Sequence, residues 1–183
     1  MSLLDGPSEF WQLTLTVKEV FIYKIPPLAT AAGHRAEDWN LATPLLTGSM
    51  KTFQSEGTMK VVLYGADGAE FGECPITVQP REDILKFVEG VIDSSRYFVL
   101  RLVDKANAKR SAMIGIGFRE REDAFDFKNV LNEYVRFVDR LAMAAAAAAQ
   151  DSITGALLDL DMDGPGTAAG GGVPGSGSGT GSG

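Results

Sequence analysis

The sequence predicts an α+β domain: a curved antiparallel sheet of seven strands, closed at one end by a single C-terminal helix. Three observations carry this. Between Trp11 and Phe118, apolar residues recur in short runs with a period of two, as half-buried strands require. Clusters of Gly, Pro, Asp, Asn and Ser punctuate those runs. After Phe118 the period changes to that of one amphipathic helix, and beyond it the pattern dissolves into glycine, alanine and serine.

The first strand opens with Trp11, Leu13, Leu15 and Val17 on one face and continues with Val20 and Ile22 opposing Phe21, Tyr23 and Ile25. The phase changes at Lys18–Glu19, which predicts a bulge or bend there. Pro26 and Pro27 end the strand because proline supplies no backbone donor. A long connection follows, with little regular pattern beyond Trp39 and Leu41. Six further runs then come in order: GSMKTF, TMKVVLYG, AEFGECPITV, KFVEGVID, RYFVLRLVD and KRSAMIGIGF. In RYFVLRLVD, Phe98, Leu100 and Leu102 share a face. In the last run Ala112, Ile114, Ile116 and Phe118 face one way. Met113, Gly115 and Gly117 face the other, where the glycines admit a close neighbour.

Ala124, Phe127, Leu131, Tyr134, Val138 and Leu141 are spaced by alternating steps of three and four, one stripe of a helix. Phe125, Val130 and Phe137 widen the stripe and predict a largely buried helix. Glu120, Glu122 and Asp123 at its start and Arg136 and Arg140 near its end suit the helix dipole. The alanines of 144–149 can extend it by propensity alone. Residues 8–143 therefore form the expected domain. Residues 144–183 form a low-complexity tail, expected to be mostly disordered because it holds too little apolar surface to offset the entropy of ordering. A sheet that curls on itself leaves an open mouth, and one amphipathic helix can plug it. That is the logic of a pleckstrin-homology-like (PH-like) fold.

Charge and composition narrow the function. The chain has 183 residues and a net charge of −7. No Lys or Arg follows Arg140, whereas Asp151, Asp159, Asp161 and Asp163 all do. An acidic domain with an acidic tail is a poor match for nucleic-acid backbones or anionic lipid. A phosphoinositide-binding PH domain recruited directly to membrane is the alternative reading. Its long loop has only His34 and Arg35, with Glu37 and Asp38 beside them. No apolar run approaches the ~18 residues of a membrane span, so direct membrane insertion is not expected. The start MSLLDGPSEFW reads against a signal peptide. Single Cys74 and His34 exclude an intrachain disulfide and a zinc cage, and Cys74 is expected to be buried rather than reactive. No nucleophile elbow, metal cluster or phosphate loop is present, so neither an enzyme nor a cofactor is expected.

The segments YKIPP, RAEDWN, DSSRYFVLR, IGIGF and DAFDF occur in that order and together make a specific pattern. Over roughly residues 20–141 the sequence resembles the NECAP family, the adaptin-ear-binding coat-associated proteins. The resemblance implies a non-catalytic, PH-like accessory domain of clathrin-mediated endocytosis. It implies binding to the clathrin adaptor complex of the plasma membrane and to endocytic accessory proteins with acidic phenylalanine motifs. The expected location is the cytoplasm, peripheral on clathrin-coated pits and vesicles. One departure stands out. Neither Trp11 nor Trp39 begins the tryptophan-x-x-phenylalanine motif with which that family binds adaptin ears.

Leu157, Leu158, Asp159, Leu160 and Asp161 fit a clathrin box, in which an extended peptide sets leucines into a groove of the clathrin heavy chain terminal domain. The bland alternative is one turn of helix docking on the domain. Asp159, Asp161, Asp163 and Gly164 also copy the start of a calcium loop, but Gly170 stands where its bidentate glutamate belongs. On the domain, the candidate adaptor- or peptide-binding surface comprises Ser94, Ser95, Arg96, Gly115, Gly117, Arg35 and Trp39. Each has a structural alternative. The serines make a turn and Arg96 pairs with a carboxylate. The glycines admit a bulky side chain rather than a ligand, and Trp39 folds back onto the core.

Overall fold

The computed structural model describes residues 10–27, 31–162 and 175. Seven strands and one long helix follow one another: β1 (Gln12–Lys24), β2 (Leu46–Ser55), β3 (Thr58–Gly65), β4 (Glu70–Ile76), β5 (Val88–Gly90), β6 (Tyr97–Val103), β7 (Ser111–Phe118) and α1 (Arg121–Met162). Short 3-10 turns occupy Ala36–Trp39 and Ile84–Lys86. The sheet order is β4-β3-β2-β1-β7-β6-β5, antiparallel throughout, and Glu73 of β4 also pairs with Val103 of β6. That pairing closes six strands into a barrel and leaves β5 as a flap on β6. This is the PH-like arrangement the sequence predicts.

The long first strand makes closure possible. Its front half pairs with β2, Val20–Ile22 pair with β2 and β7 together, and Tyr23 and Lys24 pair with β7. The register shifts between Val17 and Val20, where the side-chain phase changes in the sequence. The extra residue bends the strand round the corner. A second shift, between Leu13 and Leu15, has no counterpart in the alternation.

The core fills the barrel and the space beneath α1. Val17, Val20, Ile22, Met50, Met59, Val61, Leu63, Cys74, Ile76, Leu100 and Ile116 meet Phe127, Leu131, Tyr134 and Val138 of the helix. Phe127 packs edge-on against Phe98, with centroids 5.2 Å apart. The Tyr134 ring is fully buried. Its hydroxyl accepts from the Val78 N–H at 3.3 Å and lies 3.1 and 3.0 Å from the carbonyl oxygens of Ile76 and Gly57, to one of which it donates. Burial raises its pKa. Cys74 is buried as expected, and desolvation pushes its thiol up to about 12.

The helix differs from expectation in two ways. Phe125 is 63% exposed, and Leu141 at the end of the expected stripe is 44% exposed; Ala124 to Val138 dock, with the half-buried Val130 at their margin. The helix also runs to Met162, so the first part of the tail is helical rather than disordered. Nucleation is the costly step of helix formation, and the docked turns supply it. Six consecutive alanines then extend the helix at little cost. Residues 163–174 and 176–183, the remainder of the expected disordered tail, lie outside the described residues, as does Met1–Glu9. Two compact units result, Met1–Ala144 and Ala145–Gly183. By length and composition α1 is also apolar enough to cross a membrane, which no contiguous apolar run suggested. Asp151 interrupts that stretch, and a carboxylate at the centre of a spanning helix costs about 2.5–3.5 kcal/mol.

Replacing Tyr134 with Phe keeps the ring and strands its backbone partners. Urea unfolding of Tyr134→Phe is expected to show a loss of about 1–3 kcal/mol with an unchanged m-value.

Candidate functional site

β7 has two faces of opposite character. Ile114, Ile116 and Phe118 point into the barrel, and Gly115 and Gly117 make a floor on the other side. Rings of Tyr23, Trp39 and Tyr97 stand on that floor, with each pair of centroids 6.0 Å apart. Tyr23 is the β1 partner of Gly115, and Tyr97 is the β6 partner of Gly117. Trp39 comes from the long connection. A Cβ at Gly115 would stand 2.6 Å from its indole, and one at Gly117 would stand 2.5 Å from the Tyr97 ring. Val91, Val99 and Ala36 complete this second core. The Tyr23 hydroxyl donates to the Leu41 carbonyl at 3.3 Å, and burial, then Tyr97, pushes its pKa up to about 12.

The glycines thus admit bulky side chains, and Trp39, 3% exposed, folds back onto the core. The indole fills the space a groove would need.

A carboxylate ties the long connection to the turn before β6. Asp93 accepts from the Ala36 N–H at 2.8 Å through Oδ1 and from the Glu37 N–H at 3.1 Å through Oδ2. Burial opposes its charge. The N–H groups of Ala36, Glu37 and Asp93 itself, with Arg35, outweigh that and hold its pKa below the usual value. The Ile92 N–H donates to the His34 carbonyl at 3.0 Å beside it. These bonds bring Arg35 and Trp39 to the same end of the domain as Ser94, Ser95 and Arg96.

In that turn the Ser94 Oγ accepts from the Arg96 N–H at 3.3 Å, as a turn serine does, and Ser95 is exposed. Arg96 Nη1 donates to the Arg119 carbonyl at 3.1 Å, and no carboxylate pairs with Arg96 among the described residues. Arg35 differs, since Glu37 holds it at 3.0 Å. Arg119 is clamped by Glu19 through two bonds of 2.6 and 2.8 Å and lies over the Phe21 ring. Arg96 therefore keeps guanidinium donors available for an anionic partner. Among the described residues no three His, Cys, Asp or Glu converge as metal ligands do.

The leucine motif lies in the second unit. There Leu157 and Leu158 are 58% and 63% exposed on the helix. Residues 157–161 are helical here, for the propagation reason given above. The side chains of Leu160 and Asp161 lie outside the described ones, as do Asp163 and Gly164. Sequence reasoning missed Asp93, Tyr23, Tyr97 and the Glu19–Arg119 clamp. Asp93 stood in a visible turn, but its partners are 56 and 57 residues away.

Residues 10–164 match the family described as "Protein of unknown function (DUF1681)". The chain belongs to this family, the NECAP family. Adaptin ear-binding coat-associated protein 2 of Rattus norvegicus is 37% identical over 154 residues, 84% of this chain and 56% of that protein. The human protein of that name is 38% identical over 153 residues. Human adaptin ear-binding coat-associated protein 1 is 40% identical over 130 residues, 70% of this chain and 45% of that protein. This NECAP chain thus aligns with about half the length of the curated relatives it matches. Among solved structures, the Ran-binding domain of Nup2 from Ashbya gossypii aligns at 8% identity with a TM-score of 0.43, covering 70% of this chain and 97% of that one.

The floor is testable. Gly115→Ala forces the indole away and is expected to cost about 1–3 kcal/mol in chemical unfolding, with altered tryptophan fluorescence. Gly90→Ala, whose Cβ meets nothing within 4 Å, is expected to leave both unchanged.

Proposed function

We propose that this protein is a non-catalytic accessory factor of clathrin-mediated endocytosis. Its domain binds the clathrin adaptor complex of the plasma membrane and acidic phenylalanine peptides of other endocytic proteins. Its tail leucines bind the terminal domain of the clathrin heavy chain. It works in the cytoplasm, peripheral on coated pits and vesicles. The observation that carries this is kinship across the whole domain with proteins named for adaptin-ear binding and coat association. The Arg96 end supports it, because an arginine with no carboxylate partner among the described residues suits an acidic surface. Direct phosphoinositide binding has less support, since Arg35 of the long loop is already paired with Glu37.

The tail enters the account as a short linear motif. The last helical turns carry Asp159 and Asp161 near the negative end of the helix dipole, with no base there. They unwind at low cost, and an extended leucine segment gains by avidity in a multivalent coat.

Incubating the intact chain with purified adaptor complex and clathrin terminal domain tests both halves. Retention of both is expected. Changing Leu157, Leu158 and Leu160 together to Ala is expected to abolish clathrin retention and spare the adaptor. Undiminished clathrin retention by that variant removes the tail from the account.

A further inference from the structure

The long connection between β1 and β2 ends in an exposed turn. Asn40, with φ at 56°, begins it, and the Thr43 N–H donates to the Asn40 carbonyl at 3.0 Å. Two residues on, the Leu45 N–H donates to the Ile22 carbonyl at 2.7 Å, and β2 follows. Thr43 and Pro44 lie between these two anchors. Thr43 is exposed, and its hydroxyl donates to the Asn40 carbonyl over a long 3.4 Å. Little holds that hydroxyl back from a reagent in solution.

Pro44 sets this hydroxyl apart. The chain has eight prolines, and Pro44 alone follows a serine or threonine. The residue before a proline is biased to extended backbone, the form in which a protein kinase holds its substrate. Proline also brings no N–H. Beside the reacting hydroxyl, an apolar kinase pocket would leave any other residue's N–H unpaired, at a cost that proline avoids.

A cavity of about 450 Å³ adjoins the turn, and Lys24, Asp38, Thr43 and Leu45 are among the residues that line it. The β1–β2 ladder ends at Ile22 and Leu46, two residues from Lys24 and from Pro44. Lys24 is exposed, and no carboxylate pairs with it among the described residues. One unpaired cation thus shares a cavity with the threonine.

We infer that Thr43 is a phosphorylation site for a proline-directed protein kinase and that Lys24 pairs with the phosphate. Thr43 Oγ1 attacks the γ-phosphorus of a nucleoside triphosphate. The Oγ1–P bond forms, the bond from that phosphorus to the β–γ bridging oxygen breaks, and the nucleoside diphosphate leaves. The hydroxyl proton passes to the kinase's carboxylate base. The product carries a charge of about −1.5 to −2, which the Lys24 ammonium offsets and Asp38 opposes. The modified connection is the one that bears Arg35 and Trp39.

The test incubates the full chain with an active mitogen-activated protein kinase, magnesium and ATP, and reads intact mass and fragment sequence. One phosphate, on Thr43, is expected. Thr43→Ala is expected to abolish it, Pro44→Ala to lose most of it and Thr43→Ser to keep it. No phosphate on wild-type Thr43, while the same kinase labels a threonine-proline peptide, overturns the site. Phosphorus NMR of the modified protein then tests the pairing. The second ionisation of the phosphate, ordinarily near pKa ~6, is expected to fall below that value and to rise in Lys24→Ala. A titration that Lys24→Ala does not move overturns the pairing and leaves the site standing.

Discussion

The structure depends on one contact, the docking of the front of α1 into the mouth of the barrel. β4 and β6 share a single ladder pair, Glu73 with Val103, so few backbone hydrogen bonds close the barrel. Phe127 completes the closure by packing against Phe98 of β6 and Phe118 of β7, at 5.2 and 5.5 Å. Tyr134 ties the helix to the far side, through Val78, Ile76 and Gly57. The helix thus reinforces a seam where the strands share one ladder pair.

The same two strands carry the candidate surfaces. Phe98 faces the helix, and its neighbour Tyr97 faces the opposite way, over Gly117. Phe118 faces inward, and its N–H holds the carbonyl of Arg96 at 3.0 Å. Period-two alternation therefore couples core to surface: pinning Phe98 and Phe118 from inside fixes the aromatic floor and the Arg96 turn on the outside.

Sequence periodicity made most of this fold legible. The strands, the Lys18–Glu19 bulge and the docked stripe from Ala124 to Val138 all arise from local alternation. Buried against exposed is harder to read. Phe125 looked like core and is surface, because helical position, not residue type, decides which side meets the barrel. The end of α1 was also misread. Alanine propensity favoured continuation, and the composition beyond it argued for disorder; propagation from a docked nucleus won. At the candidate site, the fates of Trp39 and the two glycines were foreseen as alternatives, not settled, because the indole and the floor lie 76 residues apart in sequence. Asp93 was beyond reach for a similar reason: its cap joins segments that no local pattern links.

Native-state hydrogen exchange along α1 tests the central claim most directly. The account predicts that amides from Phe127 to Val138 exchange as slowly as those of β2 and β3, opening only with global unfolding, while amides beyond Ala145 exchange far faster. Exchange at one fast rate along the whole helix would contradict it, since the barrel would then stand without its plug.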